Sequence, residues 1–342
     1  MHMADALISP LVGIAMDAIS TAAIGTSVKK INKDELCEKK IPIMGIAGAM
    51  VFAAQMINFT IPATGSSGHI GGGILLAGLL GGVPAFLSIA AVLIIQCLFF
   101  ADGGLLALGC NIFNMGVIPC LFIYPLIFKP LLKGGINYKR LTLASVTSAV
   151  AGLELGAFCV VLQTFLSGIT ALPFRTFVAL MLPIHLAIGI IEGIVTAAIL
   201  CFVYNIRPEL IDASQSGERL GAVSTSKVIF ALAALTIVVG CILSLFASAK
   251  PDGLEWAIGK TTEAALGSET ELEAEGGLYE GAAGLQESTA FLPDYAFASD
   301  PENAAGAPVS GLVGATVTFM LSGAAGLVIS KVKKSKQARA NV

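Results

Sequence analysis

The chain has 342 residues, 56% hydrophobic and only 13% charged, with a formal net charge of −3 and a mean hydropathy of +0.86. So apolar a chain excludes an ordinary soluble domain, and nothing in it points to nucleic acid as a partner. Its long apolar runs approach the roughly 20 residues that cross a hydrocarbon core and lack the alternation of an outer-membrane barrel, so they predict an all-α integral membrane protein.

In chain order, spans are expected at 8–28, 41–61, 72–80, 85–100, 105–128, 141–166, 177–204, 228–246 and 311–329, with short polar breaks between them. This is about seven transmembrane helices forming a bundle, followed by a C-terminal two-helix transmembrane hairpin. The domains are 1–207, a membrane domain; 208–226, a cytoplasmic linker; and 227–342, the hairpin. Basic residues gather after the first span (Lys29, Lys30, Lys39, Lys40), after the fifth (Lys129, Lys133, Lys139, Arg140), after the seventh (Arg207, Arg219, Lys227) and at the tail. The positive-inside rule makes all four joints cytoplasmic, which requires the short third segment to cross and puts the N-terminus outside and the C-terminus inside the cell membrane. Between the last two spans, 251–310 is rich in Gly, Ala and Glu and reads as a flexible, hydrated external loop. Its Gly259-Lys260-Thr261 lacks the first glycine of G-x-x-x-x-G-K, since Leu254 stands there, so it is not a phosphate-binding loop. No basic region precedes the first apolar run, as a cleaved signal peptide would have. The seven cysteines are scattered, mostly inside apolar runs and without C-x-x-C spacing, and read as small buried hydrophobes.

Only three histidines occur. His2 lies in the opening "MHMADALISP", His69 in the turn "IPATGSSGHIGGG" at the outer surface, and His185 in the seventh span. Bulky His2 should keep Met1 in place, leaving a free amine. That amine, the His2 amide nitrogen and the His2 Nδ1 can form fused chelate rings around one metal ion, and His69 can supply a fourth nitrogen. Such a square suits Ni(II) or Cu(II), with Co(II) admissible if it relaxes. The other reading leaves His2 an incidental terminal residue and His69 a hydrogen-bonded turn residue. Within the spans, Asp17, Glu154 and Glu192 are acids that pair internally or meet partners. Glu192 shares a helix face with His185, and a structural hydrogen bond between them is expected in preference to a second metal site. Asp102, Asn111 and Asn114 near the outer mouth of the fifth span have two readings as well: holding the loop over the His69 turn or accepting an imidazole N–H, or satisfying backbone freed at a glycine-broken helix start.

The stretches "MHMADALISP", "NFTIPATGSSGHIGGG", "LFFADGGLLALGCNIFNMG" and "HLAIGIIEG" resemble the CbiM/NikM family, the substrate-binding (S) components of energy-coupling-factor transporters for cobalt or nickel. The later "PDGLEWA" resembles the CbiN/NikN-type hairpin component, here in the same chain. The resemblance implies a seven-helix subunit holding its metal with the Met1 amine, the His2 amide and ring, and the His69 ring. It implies a separate transmembrane coupling (T) subunit and cytoplasmic ABC ATPases, so the chain itself is expected to catalyse nothing and to carry no permanent cofactor. Ala18 and Ala22, one turn apart on the first helix, offer a stripe for the T subunit, since small residues let helices approach closely; ordinary internal packing is the other use of such a stripe. The hairpin leans the metal toward nickel and is expected to serve uptake, not metal holding. The alternative from another class is a stand-alone secondary metal transporter or channel, which needs several ionisable residues at a midplane cavity; here they are dispersed. A membrane metalloenzyme fits less well, because an all-nitrogen square leaves no obvious equatorial position for substrate.

Overall fold

The computed structural model describes residues 1–31, 40–217, 220, 224–268, 272 and 276–340. Lys39 and Arg219 of the basic joints therefore lie outside the described residues. Almost everything described is helical. A buried N-terminal segment leads into α1 (Pro10–Lys30), whose first-turn proline has the fixed φ a helix start accepts. Then come α2 (Lys40–Gln55) and α3 (Gly73–Leu80), separated by a two-rung antiparallel ribbon of β1 (Phe59–Thr60) and β2 (Ser67–Gly68), with Phe59 opposite Gly68. They are followed by α4 (Gly82–Phe100), α5 (Leu108–Leu132), α6 (Tyr138–Ser167), α7 (Phe174–Ile206) and the short α8 (Pro208–Ser216). The rest comprises α9 (Ser226–Phe246), α10 (Gly253–Leu266), α11 (Gly277–Thr289) and α12 (Gly306–Ala340).

Seven helices among the described residues are long and apolar enough to cross a membrane: α1, α4, α5, α6, α7, α9 and the Gly306–Ile329 part of α12. The protein is an all-α, multi-pass membrane protein. The second and third expected spans are shorter than a crossing. The apolar run at 41–61 stays helical only to Gln55, and α3 has 8 residues, about 12 Å at about 1.5 Å per residue. Between them, residues 56–72 are largely irregular. Backbone of this kind survives inside a membrane protein where other protein covers it, and every residue of α3 is buried. The far end of α3 is tied to α8, where Ser214 Oγ donates to Gly78 O at 2.6 Å.

Two further features shape the bundle. In α5 the stretch Phe113–Phe128 is π-helical and contains Pro119 and Pro125; each lacks an N–H and crowds the preceding turn, which the wider winding relieves. Along α6 and α7 the backbones come close: a methyl group on Gly193 would lie 2.6 Å from Val146 Cα, the small-residue contact that brings membrane helices together without a hydrophobic driving force.

The hairpin differs from its expected form. Helices α9 and α12 lie against α2, with Gly45 facing Phe319, while 251–310 contains α10 and α11 where a hydrated loop was expected. Both helices cover the end of the bundle that holds residue 1. Tyr279 donates to Ile8 O at 2.9 Å, Gln286 donates to Gly103 O at 2.9 Å, and Tyr295 pairs with Asp102.

Candidate metal centre

Residues 1–8 thread into the bundle, with Met3 and Ile8 fully buried and Leu7 nearly so. An apolar segment with unpaired backbone could not stay there. Asn111 on α5 solves this by acting as a strand partner: its Oδ1 accepts from Met3 N at 2.8 Å and its Nδ2 donates to Met3 O at 3.2 Å. Gly104 N also donates to Met3 O, and Asp5 accepts from Ala107 N at 2.9 Å. The terminal amine is thereby delivered to one place.

His69 reaches the same place from the ribbon. The turn after it is gripped by Glu192 on α7, whose carboxylate accepts from Gly71 N at 2.7 Å and Gly72 N at 3.0 Å. Gly72 has φ +76, and a methyl there would lie 2.5 Å from Val51 Cγ1, so glycine is required by conformation and by space. Glu192 therefore does not bond His185, whose Nδ1 lies 2.8 Å from Met181 O. The expected pair shares a helix face, but two free backbone N–H groups compete for the carboxylate and win it. Replacing Glu192 by Gln substitutes an amide N–H for one acceptor and sets donor against donor. Since a hydrogen bond to a charged group contributes about 1.5–3 kcal/mol, metal affinity should fall about 10- to 100-fold. Metal titration, with thermal unfolding as the check on fold, measures this.

At the meeting point the Met1 amine lies 2.8 Å from His69 Nε2. His69 Nδ1 lies 3.1 Å from Ile70 O; donating there, it leaves the Nε2 lone pair pointing at the amine. Metal–nitrogen bonds of about 2.0 Å at right angles separate neighbouring donors by about 2.8 Å, so the spacing already fits two corners of a square. The His2 ring stacks on the His69 ring at 5.2 Å between centroids. Its Nδ1 is 3.3 Å from Asp102 Oδ1 and its Nε2 is 3.2 Å from Gln96 Oε1. Among the described residues the His2 main-chain N–H has no acceptor, and no cluster of three or more His, Cys, Asp or Glu side chains could hold a metal.

The electrostatics favour the neutral form of both rings. Burial lowers the pKa of His2, with Asp102 opposing. Burial, then the terminal ammonium and His2, put His69 well below the ordinary imidazole value. Neutral imidazoles are the form that binds metals.

The meeting point also contains a residue that the sequence placed in the hairpin signature but not beside the histidines. Asp252, from the hairpin, accepts from the Met1 ammonium at 2.6 Å and lies 3.8 Å from His69 Nε2. Burial alone would raise its pKa, but the ammonium and His69 hold it below the carboxylate range. The hairpin thus reaches the terminal amine, and the meeting point is covered. Met1 is 7% exposed and His69 8%, where a surface turn was expected. Access remains beside His2, through a cleft of about 540 Å³ lined by His2, Asp5, Asp102, Glu255, Glu280 and Asp294 among others.

Of the other residues singled out from sequence, Asp102 faces the His2 ring and Asn111 pins Met3. Asn114 pairs with Gln163, donating at 2.8 Å and accepting at 3.1 Å, and touches neither histidine ring. Ala18 and Ala22 lie elsewhere, on the exposed side of α1.

Residues 2–210 match the family described as the cobalt uptake substrate-specific transmembrane region, CbiM, and residues 226–331 match the PDGLE domain. A protein of Haloquadratum walsbyi assigned to metal transport is 35% identical over 213 residues, 62% of this chain and 93% of that one. A protein of Archaeoglobus fulgidus assigned as a fused nickel transport protein, NikMN, is 29% identical over 322 residues, covering 94% and 96%. The crystal structure of a truncated transition metal transporter superposes with a TM-score of 0.52 at 30% identity, covering 61% of this chain and 99% of the other. The chain therefore belongs to the CbiM family of transition-metal transport proteins and carries a PDGLE domain behind its metal-transport domain.

Proposed function

We propose that the chain is the substrate-binding subunit of an energy-coupling-factor importer for Ni(II) or Co(II), with the Met1 amine, the His2 amide and ring nitrogens and His69 Nε2 as donors. The observation that carries this reading is the approach of two nitrogens 68 residues apart in sequence to 2.8 Å inside a covered site. Chelation through His2 Nδ1 requires the ring to turn about χ2 away from Asp102, leaving Nε2 free to donate to a neighbouring acceptor. Asp102 and Gln96 supply such acceptors, and Asn111 sets the depth of the terminus. Nickel is favoured over cobalt by the kinship with the fused nickel transport protein.

In this reading the N-terminus faces outward and the C-terminus faces the cytoplasm. Ala18 and Ala22 dock the T subunit: α1 is only 17% buried in its apolar window, and Leu11 and Ile14 stand 81% and 56% exposed beside the stripe. Separate ABC subunits hydrolyse ATP. Metal uptake by cells making this chain with and without T and ATPase subunits tests the assignment. Uptake should require all of them, and full uptake by the chain alone would favour a secondary transporter.

A further inference from the structure

We propose that Asp252 of the PDGLE segment is a constituent of the metal site: it orients the Met1 amine against His69 and supplies the negative charge that a divalent cation needs in so covered a position. The proposal rests on the terminal-chelate reading above. Its Oδ2 touches the amine at 2.6 Å and faces His69 Nε2 at 3.8 Å. The other oxygen is already engaged, since Oδ1 accepts from Leu254 N at 2.9 Å and Glu255 N at 2.8 Å to start α10. The carboxylate is therefore fixed by a helix N-terminus, not left to swing.

The flanking residues hold it in register. Ser67 N donates to Pro251 O at 2.8 Å and Ser67 Oγ donates to Lys250 O at 2.7 Å, so the hairpin tip is tied to the strand that leads into His69. A methyl on Gly253 would come 2.9 Å from Ile188 Cδ1 and 3.2 Å from His185 Cε1; the absence of a side chain lets the tip reach this depth. The neighbouring carboxylates have other partners: Asp102 faces the His2 ring rather than the amine–His69 pair that Asp252 touches, and Glu255 accepts from Asp252 N.

A chelate of three neutral nitrogens and one amide anion around a divalent ion retains one positive charge. A buried charge without a partner is strongly disfavoured. Asp252 is placed to compensate it and acts as a positioning residue on the donors.

The test uses the full-length protein in detergent, freed of metal and titrated with Ni(II) and Co(II). Asp252→Asn retains an oxygen for the helix cap while removing the charge. It should bind at least tenfold more weakly, release metal faster and shift the visible absorption of the loaded protein. Trp256, the chain's sole tryptophan, packs with Ile61 and Ile188 and reports whether the tip stays docked. Unchanged affinity, release rate and spectrum in Asp252→Asn would overturn the proposal. If the tip undocks, Asp252→Glu decides: recovery of docking and retention together supports it, whereas a docked Glu variant that still loses metal overturns it. His69→Ala, measured alongside, separates the two readings. Normal binding there removes the site itself, while its loss beside an unaffected Asp252→Asn removes only the role of Asp252.

Discussion

One or two residues added ahead of Met1 should abolish high-affinity metal binding, a loss on the order of 1,000-fold, well beyond the about 10- to 100-fold typical of changes outside the ligands. The extension turns the amine into an amide and moves the free terminus away. It also has nowhere to go: Met1 is 7% exposed, its Cε lies 3.1 Å from where a methyl on Gly156 would stand, and its nitrogen is enclosed by His69 and Asp252. A tag after Val342 should be harmless. Isothermal titration of the two tagged forms makes the comparison, and normal binding by the extended chain would sink the terminal chelate. The pH dependence follows from the same chemistry. Binding displaces protons from the amine and the amide, so affinity should fall as pH drops. His69 should not limit it near neutrality, because burial, the terminal ammonium and His2 keep its proton affinity low.

His69→Ala should cost about 100-fold or more in metal retention, since it removes a first-coordination nitrogen, where even outer partners matter about 10- to 100-fold. The fold should survive, because the ring's own hydrogen bond goes to its neighbour Ile70 and the turn remains held by Glu192 and by Gln55, which donates to Gly71 O at 2.7 Å. The vacated space lies beside the amine, so added imidazole should restore part of the binding. Equal retention by parent and variant in equilibrium dialysis would remove His69 from the site.

The histidines could be read from sequence because they are scarce and because a terminal Met-His is a chelator by its own covalent geometry. What accompanies them could not. Glu192 meets Gly71 across 121 positions, and Asp252 meets Met1 across 251; no local pattern encodes such pairings. The D-x-x-E spacing of Asp252 and Glu255 does announce a helix start, and the capping box is present, so α10 was visible in principle inside a stretch whose composition suggested only hydration. Its target was not. The second apolar run outlasts its helix because hydropathy tolerates Asn58, whereas backbone pairing does not: the helix stops at Gln55 and the ribbon begins. The widened turn in α5 was hidden for a related reason, since its prolines sit in an otherwise uninterrupted apolar run.

The placement of the hairpin on the same polypeptide as the site has a kinetic meaning. After α8 ends at Ser216, the chain re-enters helix at Ser226, and a tether this short holds a detached tip at an effective concentration in roughly the millimolar range. Contacts too weak to recruit a separate protein at cellular concentrations then suffice to re-dock it after every excursion. Dilution in detergent should leave the tip seated, and scarcity of one partner cannot starve the other. A covered site can consequently open for each incoming ion without the cover being lost to solution.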